Sequence, residues 1–79
     1  MNAHLPVSSP CIDICLMDPA SDLCTGCARS LDEIAGWGSL SEADRRAIMA
    51  TLPARLDALG PKAAAREEAL AKIRAVLAR

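Results

Sequence analysis

Residues 11–27 read CIDICLMDPASDLCTGC and contain all four cysteines of a 79-residue chain. Their spacing is C-x3-C-x8-C-x2-C, through Cys11, Cys15, Cys24 and Cys27. How these sulfurs are used decides the fold. A chain this short buries little apolar surface, so a staple is expected: disulfides, a metal or an oligomer interface. Four thiolates complete a tetrahedral ion unaided, which is the closed coordination of structural zinc. The same four also satisfy an iron–sulfur cluster. The Asp18-Pro19-Ala20-Ser21 segment fits a β-turn with Asp first and Pro second, which brings the second pair of cysteines back across the first. Gly26 is expected to take the positive φ that turns N–H groups toward a sulfur. Arg29, two residues beyond Cys27, is placed to offset thiolate charge.

Other uses of the cysteines are weaker readings. Disulfides are rare in the cytoplasm, where clustered cysteines more often bind metal or do redox chemistry. A dithiol redox pair at Cys24 and Cys27 remains an alternative, although no βαβ context surrounds it. His4 is read as a solvated terminal residue rather than a fifth ligand, and Asp13 as an exposed loop carboxylate. There is no Ser/His/Asp set, no plausible carboxylate pair and no phosphate-binding glycine loop. The chain is therefore expected not to be an enzyme.

Composition points to helices. Trp37 is the only aromatic residue, and most of the apolar content is Ala and Leu. Residues 1–60 carry four basic and eight acidic side chains, and residues 61–79 carry five and two. No basic stripe suggests nucleic acid, and no segment approaches the ~20 apolar residues of a membrane span. MNAHLPVSSP has neither a basic n-region nor an apolar run, so no signal peptide is read and a cytoplasmic location is expected.

Ser30-Leu31-Asp32-Glu33 is a capping box that opens a short helix, with Leu31, Ile34 and Ala35 on one face and Gly36 and Gly38 curtailing it. Ser41-Glu42-Ala43-Asp44 opens another, with an apolar stripe through Ala43, Ala47, Ile48 and Leu52. Pro53 is expected to end or kink it, after which Leu56 and Leu59 continue the face to Gly60-Pro61. Arg45 and Arg46 read as a solvated helix face. Trp37 is read as the anchor of a tiny core. From Lys62 to Arg79, Leu70, Ile73 and Leu77, with Val76 beside them, make an amphipathic helix supported by a Glu68–Lys72 pair. That helix either packs on its own domain or docks on an unknown protein partner or second copy.

Taken together, SPCIDIC (9–15), DPASDLCTGCARSLDEIAGW (18–37) and RRAIMATLPAR (45–55) resemble the bacterial domain of unknown function 1289 family. The resemblance covers about residues 9–55 and fills all four cysteine positions of that family's pattern. It implies a cysteine-rich protein of unknown function, commonly described as a predicted iron–sulfur protein, and nothing carries over beyond Gly60. The expected organisation is a flexible arm at 1–9, a cysteine-rich helical domain at 10–60 and an amphipathic C-terminal helix at 61–79. Mostly α architecture is expected, with the metal loop packed on two or three short helices and a longer C-terminal helix. The expected function is a non-enzymatic metal-binding module acting through protein–protein contacts. Zinc is narrowly favoured, and the alternatives are an iron–sulfur redox protein and a CxxC thiol oxidoreductase.

Overall fold

The structure, a computed structural model, describes residues 8–79. Two short strands, β1 (Met17–Asp18) and β2 (Leu23–Cys24), form an antiparallel pair in which Met17 faces Cys24 and Asp18 faces Leu23. Three helices follow: α1 (Leu31–Gly36), α2 (Glu42–Leu59) and α3 (Arg66–Leu77). Single 3-10 turns, Trp37–Ser39 and Gly60–Lys62, link them. The architecture is mostly α.

The hairpin is built by the Asp18 turn. Asp18 Oδ2 accepts from the Ser21 backbone N–H at 3.1 Å and from the Ser21 hydroxyl at 2.7 Å, and the Asp22 N–H reaches the Asp18 carbonyl at 2.8 Å. A carboxylate that satisfies its own turn fixes the chain reversal locally. The sheet was not expected from composition. It forms because this reversal lays residues 16–18 beside 23–25, where their backbone groups must find partners.

The capping box forms as written in the sequence. The Glu33 N–H donates to Ser30 Oγ at 3.2 Å, and the Ser30 N–H donates to Glu33 Oε1 at 2.8 Å. The expected apolar face of α1 does not bury: no residue of the helix is buried, and Leu31 is 60% exposed. A bidentate ion pair holds α1 instead, with Arg55 Nη1 2.6 Å and Nη2 3.0 Å from the two Glu33 oxygens. It holds Glu33 well below the usual carboxylate range, at about 2, with Ser30 contributing and burial opposing.

Ser41 caps α2 by accepting from the Asp44 N–H at 3.1 Å. Eighteen residues long, α2 is longer than the twelve-residue α3 and runs through Pro53 without interruption, contrary to expectation. Proline removes one N–H and crowds the preceding turn. Leu52 and Leu56, on either side of Pro53, are both fully buried, so packing outweighs that local preference. The stripe also differs from the one expected. Arg45, Met49, Leu52, Leu56 and Leu59 are buried, whereas Ala43 and Ala47 are exposed. Met49 takes the buried place expected for the two alanines, and burying a side chain of that size is worth ~1.5–3 kcal/mol.

The expected solvated pair, Arg45 and Arg46, is put to structural use. Arg45 is buried and donates to the Leu40 and Trp37 carbonyls, closing the turn before α2. Arg46 donates to the Val76 carbonyl at 3.0 Å and the Leu77 carbonyl at 2.7 Å. It thereby satisfies C-terminal acceptors of α3 that have no intrahelical partner.

The apolar face of α3 packs against α2. Ala69, Leu70, Ile73 and Val76 share one core with Ala28, Trp37, Met49, Leu52, Leu56 and Leu59. The expected Glu68–Lys72 pair is absent among the described ion pairs, and Lys72 donates instead to the Cys11 carbonyl at 3.1 Å. The C-terminal segment touches the cysteine region again through the Ala64 N–H on the Thr25 carbonyl (2.9 Å) and Lys62 on Asp18 (3.4 Å). Of the arm expected over 1–9, residues 1–7, and His4 with them, lie outside the described residues. Ser8 is not loose: its carbonyl accepts from Trp37 Nε1 at 2.7 Å, and its hydroxyl donates to Glu42 at 2.6 Å.

Candidate metal centre

The two halves of the cysteine motif are built differently. Cys24 and Cys27 are 1% and 2% exposed, at the end of β2 and in the turn that follows. Three backbone bonds of 2.8 Å fix that turn: Cys24 N–H to the Arg29 carbonyl, Ala28 N–H to the Cys24 carbonyl, and Thr25 N–H to the Leu16 carbonyl. Cys11 is half-buried and Cys15 exposed, on a segment that belongs to no helix or strand. All four thiols are free.

Each half repeats one device. The Gly26 N–H donates to Cys24 Sγ at 3.4 Å, and the Asp13 N–H donates to Cys11 Sγ, also at 3.4 Å. In both cases the amide two residues on turns back to the first sulfur of the pair. Such contacts favour a thiolate over a thiol and stabilise a sulfur ligand. At Cys24 burial pushes the thiol up, but the N–H groups of Cys27 and Gly26 outweigh it and the net shift is downward. At Cys27 burial also pushes up and prevails, although Arg29 opposes it.

Gly26 does not take the positive φ expected of it. It is needed for close approach. A Cβ there would overlap the Ile14 carbonyl oxygen and stand 3.0 Å from Ile14 Cβ. This contact, with the Cys24 thiol donating to the same carbonyl at 3.3 Å, seats the Cys11–Cys15 segment on the buried turn. The left-handed backbone falls on Ala28 (φ 66°) and, in the first segment, on Asp13 (φ 64°). Ala28 is fully buried, and its carbonyl accepts from Arg55 at 3.3 Å. The sequence reading missed Ala28 because alanine carries no signal for that conformation.

Arg29 bears out its expected position. It is 5% exposed, its Nε lies 3.2 Å from Cys27 Sγ, and its guanidinium carbon stands 4.6 Å from the centre of the Trp37 ring. Among the described residues no carboxylate pairs with it. Burying a guanidinium without a counter-charge is costly. The groups facing its charge are the π-face of Trp37 and the sulfur of Cys27.

The structure therefore brings Cys24 and Cys27 together and lays the Cys11–Cys15 segment over them. Among the described residues no three Cys, His, Asp or Glu side chains stand close enough to hold a metal ion. Closing a four-sulfur site needs the side chains of Cys11 and Cys15 to turn inward. As donors the residues fit a thiolate-bound metal: two N–H···S contacts and a buried guanidinium stand where charge would accumulate.

Residues 9–56 match a family described as "Protein of unknown function (DUF1289)". The chain belongs to this family. The match begins just before Cys11 and stops inside α2, so α3 lies outside it although it supplies four residues of the core. Curated relatives include "Uncharacterized protein YdhL" of Escherichia coli (strain K12) and of Shigella flexneri, each 37% identical over 51 residues. That alignment takes in 65% of this chain and 63% of each relative. No solved structure matches. Among the described residues no helix is long and apolar enough to cross a membrane.

Proposed function

We propose that this DUF1289 chain is a small, non-enzymatic metal-binding protein of the cytoplasm in which Cys11, Cys15, Cys24 and Cys27 hold one zinc ion. The observation that carries the proposal is the buried guanidinium of Arg29 against Cys27 Sγ, which gives a metal thiolate the counter-charge it needs at the buried pair of sulfurs. The paired N–H···S turns at Cys11 and Cys24 support the same state. A bound zinc ion would supply folding free energy to the segment from Ser8 to Arg29, which contains only two short strands of its own.

Anaerobic purification, metal analysis and a visible spectrum test the proposal. Stoichiometric zinc in a colourless protein is expected. Iron with acid-labile sulfide and a brown colour would replace zinc by a cluster on the same four sulfurs. Metal-free protein with reversible Cys24–Cys27 oxidation would overturn metal binding in favour of thiol chemistry. Chelation of the zinc is expected to loosen residues 8–29 and to leave α2 and α3 paired.

A further inference from the structure

We infer that residues 61–79 form an electrostatic strap, in which Lys62 and Lys72 fasten the segment 11–18 and its two cysteines to the helical pair. The inference goes beyond the metal-binding reading and needs no ion at the sulfurs.

Lys62 and Lys72 are the only lysines of the chain, and both end on the cysteine region. Lys62 Nζ lies 3.4 Å from Asp18 Oδ1, on the carboxylate whose other oxygen builds the hairpin turn through Ser21. Lys72 Nζ donates to the Cys11 carbonyl at 3.1 Å. One lysine therefore holds each end of the segment. Residues 11–16 belong to no helix or strand, so they have no ladder of their own to keep them in place. Between its ends the segment rests on the core through Ile12 and on the buried turn through Ile14 and the Leu16 carbonyl.

The arginines around α3 face the other way. Arg66 pairs with Asp57 of α2, and Arg46 of α2 donates to the carbonyls at the end of α3. Together with the buried Leu70, Ile73 and Val76, these contacts fix α3 to α2. Toward the cysteine region the fastening is by charge and lies in water, with the Lys62 side chain 55% exposed and Lys72 exposed. Exposed charge contacts are individually weak and are screened by salt, whereas buried apolar contacts are not. The strap therefore unfastens at its lysines while α3 stays on α2. Residues 61–79 carry five basic and two acidic side chains against four and eight in residues 1–60, so low ionic strength favours the closed strap. Closed, it keeps Cys11 beside the buried pair; open, it frees residues 11–16 to move away from Cys24 and Cys27.

Amide exchange followed by NMR on the full chain as purified tests this. The reporters are the Thr25 N–H, which ends on the Leu16 carbonyl, and the Asp13 N–H, which ends on Cys11 Sγ. In Lys62→Gln/Lys72→Gln both should exchange roughly threefold to tenfold faster while the amides of α2 keep their rates. Lys62→Arg/Lys72→Arg retains the charges and should stay within about twofold of the parent. Sodium chloride at about 1 M should speed both reporters in the parent and leave the glutamine variant unchanged. Arg74→Gln is the control, because it removes a charge from exposed α3 surface that has no ion pair among the described residues. The inference is overturned if the glutamine variant exchanges both reporters at the parent's rate, or if Arg74→Gln has as large an effect. A uniform rise that includes the α2 amides would also overturn it, as would an arginine variant that behaves like the glutamine one.

Discussion

Replacing Gly26 by alanine tests whether the two cysteine segments close on each other as the structure requires. The added Cβ would overlap the Ile14 carbonyl oxygen and lie 3.0 Å from Ile14 Cβ and 3.2 Å from Ile14 C, where ordinary contact begins at 3.4 Å. The obstacle is backbone, which has no rotamer to change, so the Cys11–Cys15 segment must back away from the buried turn. Overpacking of this kind costs typically 1–3 kcal/mol. At about 2 kcal/mol, metal affinity should fall roughly thirtyfold. The contiguous core contains neither Gly26 nor Ile14, so the pairing of α2 with α3 should persist. Competition with a chromophoric chelator gives the affinity, and far-ultraviolet circular dichroism on heating reports the helices. Gly38→Ala is the control, because nothing lies within 4 Å of a Cβ there. Metal affinity of Gly26→Ala within about twofold of the parent would refute the reasoning, since a 2 kcal/mol obstacle cannot pass unnoticed at that precision.

Other perturbations should act elsewhere. Glu33 is depressed from 4.5 to about 2 in the folded chain, so its contribution is complete above pH 4.5 and is lost as pH falls toward about 2. Because the pair is partly exposed, ~1–2 kcal/mol is expected, and urea midpoints across that window should lose their slope in Glu33→Gln paired with Arg55→Met. Ala28→Val sets a β-branched side chain at φ 66° in a fully buried position and should destabilise the chain by about 2 kcal/mol or more in urea unfolding. Arg46→Ala strips the cap from α3; a loss of about 1 kcal/mol is expected, with amide exchange rising first at residues 74–79.

The C-terminal helix lies outside the family match and inside the core. The match ends at residue 56, yet Leu52, Leu56 and Leu59 are buried largely because α3 covers the face they form with Met49. Truncation after Gly60 would expose that face. Three contacts also tie the same segment to the cysteine region, at Cys11, Asp18 and Thr25. Residues 61–79 are thus an amphipathic helix in sequence and part of a common core in structure.

What the sequence settled by itself was local chemistry. The capping box at Ser30–Glu33, the N-cap at Ser41, the Asp18 turn and the approach of Arg29 to Cys27 all depend on residues within a few positions of one another. Short-range hydrogen bonds are written directly into such spacing. The family, too, was legible from the cysteines and the residues around them. Tertiary structure alone decided which face each helix buries. Ala43 and Ala47 fit a helical stripe as well as Met49 does, and only the arrival of α3 selects the larger side chain. Arg45 and Arg46 look solvated until the carbonyls of the Trp37–Leu40 turn and of the α3 end stand beside them. Pro53 ends a helix in isolation and is carried through here by the burial of Leu52 and Leu56. Gly26 is the clearest case. The sequence marks it as conformationally free, whereas the structure uses it for its lack of a side chain, because a backbone twelve residues earlier passes where a Cβ would be. Backbone freedom is a property of one residue, but close approach needs two segments in place, and only the folded chain supplies the second.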